Sequence, residues 1–93
     1  MPLTQPVTFK ARLQAGNRVQ IPKYVRWFYK LEPTQILEVT IRIEDCWRLQ
    51  PESFLCRMTQ DGRIVIPKLI LALFAAGKPT LHNYVAEVRL ALA

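Results

Sequence analysis

The stretch "DGRIVIPK", from Asp61 to Lys68, has a counterpart in "GNRVQIPK", from Gly16 to Lys23. Laying the chain on itself so that Arg18 falls on Arg63 also pairs Phe9 with Phe54, Arg12 with Arg57, Val19 with Ile64, Ile21 with Ile66, Pro22 with Pro67 and Lys23 with Lys68. Seven matches inside fifteen positions, all at one shift of 45, mark an internal repeat. That repeat constrains the fold, because half of a 93-residue chain buries too little surface to stand alone. The two copies must share a core, which predicts a single domain over residues 1–93 made of repeats at about 5–48 and 52–93. A small insertion in the second copy is needed to bring "LEVTIRI" (Leu37 to Ile43) near "AEVRLAL" (Ala86 to Leu92).

Each copy reads strand, tight turn, strand, short helix, strand. "VTFKARL" runs into Gly16-Asn17 and "SFLCRM" runs toward Asp61-Gly62, dipeptides that tolerate the positive φ of a tight hairpin turn. "RVQI" and "RIVI" follow as β-branched strands, so each copy is expected to open with a hairpin. Pro22 and Pro67 end these strands for want of an amide donor and suit the first turn of a helix. In "KYVRWFYKL", Tyr24, Trp27, Phe28 and Leu31 form one apolar stripe at helical spacing. "KLILALFAAG" is a second helix stopping at Gly77, and "ILEVTIRI" and "YVAEVRLALA" alternate as third strands. Between the copies, "EDCWRLQPE" holds a turn and a candidate short strand. The fold class is therefore mostly β with short helices (α+β). Two copies about a pseudo-twofold axis can exchange hairpins and close a barrel, which hides the edges and the apolar face that one copy exposes.

Thirteen basic against seven acidic side chains leave a net charge of +6, which favours a polyanionic partner, nucleic acid first and an acidic protein second. No apolar run approaches the roughly 20 residues that span a bilayer. With no export signal at the start, Cys46 and Cys56 are expected as free packing thiols in a cytoplasmic protein.

The pattern G-R-h-h-I-P, with h apolar, set between a hairpin turn and a short helix, resembles the AbrB/MazE/SpoVT family of swapped-hairpin DNA-binding domains. "DGRIVIPKLILALF" is the closer copy, while the first has Asn17 where the family usually has glycine. Family members are usually homodimers with one copy per chain, so the resemblance implies a fused dimer. It also implies that Arg18 and Arg63 at the turns, and Arg26 on the helix, face DNA. A second helix arginine of the family falls at Trp27, and the matching second-copy positions are Leu71 and Ala72, so the second helix is expected to add little to DNA contact.

Apart from the resemblance, Lys23, Arg26 and Lys30 are spaced to share a helix face opposite the aromatic stripe. Arg12 and Arg18 flank one turn and Arg57 and Arg63 the other, and Lys68 opens the second helix as Lys23 opens the first. Arginine suits phosphate and guanine edges through its planar fork. These eight residues are the candidate DNA contacts; the alternative is a solvated face with Glu32, Glu38, Glu44 and Asp45 as partners. The second helix is apolar on every side, so it is either covered by "KPTLHN" or meets another molecule through Leu69, Leu71, Leu73 and Phe74. A second copy of the chain is the favoured occupant and a protein partner, as for an antitoxin, the alternative; a non-specific architectural DNA coat is a further reading.

Catalysis is not expected, since no nucleophile or carboxylate is arranged around His82, the single histidine. Cys46, Cys56 and His82 lack the paired spacing of a zinc site, so no metal or other cofactor is expected. "AAGKPT" lacks the earlier glycine of a phosphate loop and follows an apolar helix instead of preceding one.

Overall fold

The computed structural model describes residues 3–44, 50–75 and 81–93. Chain order is β1 (Val7–Arg12), β2 (Arg18–Gln20), α1 (Lys23–Phe28), β3 (Leu37–Ile43), β4 (Glu52–Cys56), β5 (Arg63–Val65), α2 (Lys68–Ala75) and β6 (Val85–Leu92). This is the expected ββαβ unit written twice, in a mostly-β α+β arrangement whose ladders are all antiparallel.

Both turns take three residues. Gln14 and Arg18 bracket one through reciprocal backbone hydrogen bonds, and Thr59 donates to the Arg63 carbonyl across the other at 2.8 Å. The last loop residue of each, Asn17 and Gly62, has φ of 58° and 82°. A left-handed residue there converts the turn into a bulge that starts the next strand, and asparagine and glycine adopt it at least cost.

Beyond the turns the strands part instead of running on as hairpins. β1 pairs with β6, β4 with β3, β3 with β6, and β2 with β5. Every ladder thus joins one copy to the other. The registers obey the repeat: Val7 faces Leu90 and Glu52 faces Ile41, and the second pair follows from the first by a shift of 45 in the opening strand and 49 in the closing strand. The difference is the insertion ahead of β6. Val19 opposite Ile64 and Thr40 opposite Arg89 are the pairs that this operation maps onto themselves, so an approximate two-fold axis runs through both.

The sheet order is β1-β6-β3-β4, with β2-β5 as a separate ribbon. Phe9, Val39, Ile41, Val88 and Leu90 from the sheet meet Val19, Ile21, Ile64 and Ile66 from the ribbon segments in one core, which among the described residues contains no buried polar side chain. Fully burying an aliphatic side chain contributes about 1.5–3 kcal/mol, so the core rests on residues supplied about equally by the two copies.

The helices correct two expectations. Helix α1 ends at Phe28, and only Val25 of its six residues is buried. Leu31 N–H donates to the Arg26 carbonyl and Lys30 N–H to that of Trp27, a Schellman closure with Lys30 at the left-handed position, φ 53°. The chain therefore turns before a second helical turn can bring the aromatic stripe inward, and Tyr24 (69% exposed), Trp27 (68%) and Phe28 (56%) face out. In α2 the equivalent outer positions are Leu69 (83%) and Leu73 (40%), whereas Leu71 and Phe74 are buried in the core. The expected interface of four residues is thus reduced to Leu69 and Leu73. The join at residues 45–49, with Cys46 and Trp47, and residues 76–80, with the Gly77 stop, lie outside the described residues. No helix among the described residues is long and apolar enough to cross a membrane.

Candidate functional site

Strand periodicity places the ribbon's charges. Val19 and Ile64 point into the core, so Arg18, Gln20, Arg63 and Val65, which alternate with them, share the outer face. Arg18 faces Val65 and Arg63 faces Gln20, which sets the two arginines on a diagonal across the two-fold axis. Gln20 donates to the Asp61 carbonyl at 3.0 Å and to that of Gly62 at 3.1 Å, tying the strand of one copy to the turn of the other.

The two arginines are not electrostatic twins. Arg18 is exposed and its Nε donates to the Ala15 carbonyl at 3.2 Å. Arg63 is half-buried, its Nη1 pairs with the Asp61 carboxylate, and its Nε is a buried donor with no partner among the described residues. The first copy has Gly16 where the second has Asp61, so only the second arginine meets a carboxylate within its own turn. A hydrogen bond from the Thr59 hydroxyl, then the charges of Arg63 and Arg18, holds the Asp61 carboxyl below the usual range. One aspartate thus offsets part of the positive potential of both arginines.

The cations of α1 are spread over different tasks. Lys23 lies over the Trp27 ring, 4.3 Å from its centroid. Arg26 turns back to donate to the Ile21 carbonyl at 3.1 Å and packs against buried Gly62, so it braces the other copy's turn. Lys30 closes the helix. Lys68, at the start of α2, is exposed and has no ion-pair partner among the described residues. Where Arg26 braces Gly62, the second copy sets Leu71 near Asn17, and a cavity of about 230 Å³ lies between the first turn, Leu71 and Leu81.

Arg12 and Arg57 have a shared structural task that the sequence did not disclose. Arg12 Nη1 donates to the Asn83 carbonyl at 3.0 Å and Arg57 Nε to the Thr34 carbonyl at 3.4 Å. Asn83 and Thr34 are themselves equivalent under the 49-residue shift, so each arginine clips the loop entering the other copy's third strand. Of the carboxylates offered as partners for the basic face, Glu44 instead pairs with Lys10 on the sheet at 2.8 Å.

Among the described residues no group of three histidine, cysteine or carboxylate side chains is placed to hold a metal ion. Burial pushes the free Cys56 thiol up to about 11, which leaves little thiolate for chemistry.

The fold and site thus define a small protein of two short helices and antiparallel sheet, with exposed Arg18, Lys23 and Lys68 and half-buried Arg63 placed at the two turns and the two helix starts. No protein-family model and no curated protein matches the chain. The solution structure of PHS018 from Pyrococcus horikoshii matches it with a TM-score of 0.78 at 22% identity, over 99% of this chain and 94% of that one. At that identity the likeness shows a shared fold.

Proposed function

We infer that the chain is a double-stranded DNA-binding protein, a cytoplasmic transcriptional regulator without catalytic activity, built as a swapped-hairpin barrel of AbrB/MazE/SpoVT type with both copies in one chain. The ladders that join copy to copy support the barrel reading. The observation that carries the function is the outer face of the ribbon, where Arg18 and Arg63 straddle the two-fold axis and Lys23 and Lys68 stand just beyond the strand ends. Neither helix has an acidic residue in its first turn, so the positive helix ends add to those lysines. Arg18, with no carboxylate of its own, makes the stronger phosphate contact, which gives the footprint one strong and one weak half.

Fluorescence anisotropy of a labelled mixed-sequence duplex across a salt series tests this. Four phosphate contacts predict a slope of log affinity on log salt of about −3.6, since each contributes about −0.9. Changing Arg18 and Arg63 together to alanine should reduce that slope, while changing Arg89 on the far sheet should not. Equal effects of all three would sink the assignment. Equal affinity for every duplex, by contrast, would favour a non-specific architectural role.

A second reading rests on the exposed apolar positions shared by both helices, Tyr24 and Phe28 on α1 and Leu69 and Leu73 on α2. In it the helices hold a second copy of the chain, or a protein partner as an antitoxin does. Sedimentation of the wild type against Leu69→Glu decides it: a monomer in both removes the reading of self-association.

A further inference from the structure

The outer face of the four-stranded sheet carries a concavity of about 380 Å³, within the range of roughly 300–1,000 Å³ usual for small-ligand sites. Strand register sets the row that crosses it, of which Thr8, Arg89 and Thr40 line the concavity and Ser53 stands beside Thr40. Thr8 faces Arg89, Arg89 faces Thr40, and Thr40 faces Ser53, so one row crosses all four strands and passes through the two-fold axis. Their neighbours Phe9, Val39, Val88 and Ile41 are buried, which turns this row outward. It holds three hydroxyls and one guanidinium.

Among the described residues of this face, Glu38 and the central Arg89 stand outside the ion pairs. Lys10 pairs with Glu44 at 2.8 Å, and Arg42 reaches Glu87 at 3.3 Å, longer than the roughly 2.7–2.9 Å of a tight charge-assisted bond. Glu38, two positions from Thr40 on β3, makes no ion pair with Arg89, and Arg89 has no charged or hydrogen-bonded partner among the described residues. Thr40 and Ser53 share one hydrogen bond at 2.9 Å, so whichever hydroxyl accepts keeps its own proton for another acceptor. Thr8 on the other flank lines the same concavity.

We propose that this concavity is a binding site for the phosphate group of a small phosphorylated molecule, with the fork of Arg89 as its anchor and the hydroxyls of Thr8 and of the Thr40–Ser53 pair as neutral donors. Arg42 swings its remaining N–H groups toward the same anion while Glu87 keeps it in place. Phosphate fits better than a single carboxylate because its three terminal oxygens can accept from the arginine and from hydroxyls on both sides at once. The rest of the ligand lies toward Pro51 and the sheet surface at Ile41, which also line the cavity. The site faces away from the ribbon, with the core between them, so it stands whether or not the ribbon binds DNA.

The test is a nuclear magnetic resonance titration of the full chain, at constant ionic strength, with inorganic phosphate in one arm and glycerol 3-phosphate in the other. The expected result is saturable shifts centred on the amides of Thr8, Thr40 and Arg89, with tighter binding of the ester. Arg89→Gln should weaken that binding by about tenfold or more, as loss of a charged hydrogen-bond donor does. Arg89→Lys, which keeps charge but not the fork, should fall between, and Glu87→Gln should tighten binding by removing a competing carboxylate. Exposed Arg89 tolerates these changes, and unshifted core resonances check the fold. Shifts that fail to saturate, or that centre on Arg18 and Arg63, would overturn the proposal. So would inorganic phosphate binding as tightly as the ester, which would assign the site to the free ion, or an Arg89→Gln variant that loses duplex affinity while phosphate binding stays intact.

Discussion

Gly62→Ala probes the contact that joins the two copies most directly. Gly62 has φ +82°, and an L residue held in the left-handed region costs about 1–2 kcal/mol. The added Cβ would also lie 2.5–2.6 Å from Nη1, Cδ and Cζ of Arg26, so that side chain must leave the turn. With it goes the partly buried hydrogen bond to the Ile21 carbonyl, about 1–2 kcal/mol for a charged donor that regains some water contact. The total is about 2–4 kcal/mol. With a urea m-value of about 1–1.5 kcal/mol/M for a domain of this size, the midpoint should fall by roughly 1–4 M. Gly16→Ala is the internal control, for its φ is +81° but its Cβ would meet only exposed Arg18, at 3.2 Å from Nε. It should cost the backbone strain alone. The decisive assay is a double-mutant cycle followed by urea unfolding: in an Arg26→Ala background, Gly62→Ala should also cost only the strain. An equal cost in both backgrounds would refute the claim that Arg26 braces the other copy's turn.

Lys30→Gly should stabilise the chain by about 0.5–1 kcal/mol, because glycine takes the left-handed helix-closing position without a Cβ penalty; a raised urea midpoint checks it. Asp61→Asn should tighten duplex binding by unmasking Arg63 and Arg18, read by anisotropy. The folded Asp61 carboxyl is depressed, so its stabilisation is complete above the ordinary carboxylate range and is lost as pH falls through the lowered value. Urea midpoints taken down the acid limb should show that loss in the wild type and a smaller one in the asparagine variant. In a Cys46→Ser background, Cys56 should react with iodoacetamide at pH 8 about a hundredfold more slowly than an unburied thiol, since burial leaves little thiolate. Denaturant should abolish the difference.

Local features of the fold were legible from residue order because backbone sterics and periodicity act over a few positions. Asn17 and Gly62 do occupy the left-handed turn sites, Pro22 stands at the N-cap of α1, and β3 and β6 fall within the alternating stretches. The repeat also anticipated the equivalence of registers, including the insertion before β6. The candidate site was legible only as a set of basic residues. Which of them remain available was decided elsewhere: Arg26 is diverted to a turn 36 residues away, Arg63 is paired by Asp61, and Arg12 and Arg57 clip loops of the opposite copy.

The inward face of α1 shows the limit most plainly. Tyr24, Trp27 and Phe28 have the spacing of a core stripe, yet a six-residue helix is too short for its own pattern to choose its orientation. The link from β2 buries Ile21, the closure after the helix buries Leu31, and Val25 is the helical position that falls between them on the same side. By itself the sequence determined two equivalent ββαβ units, their turns and their shared need for a partner. Only tertiary structure decided that each strand finds its partner in the other copy, because that choice minimises exposed apolar surface over the whole chain, a sum no local segment contains.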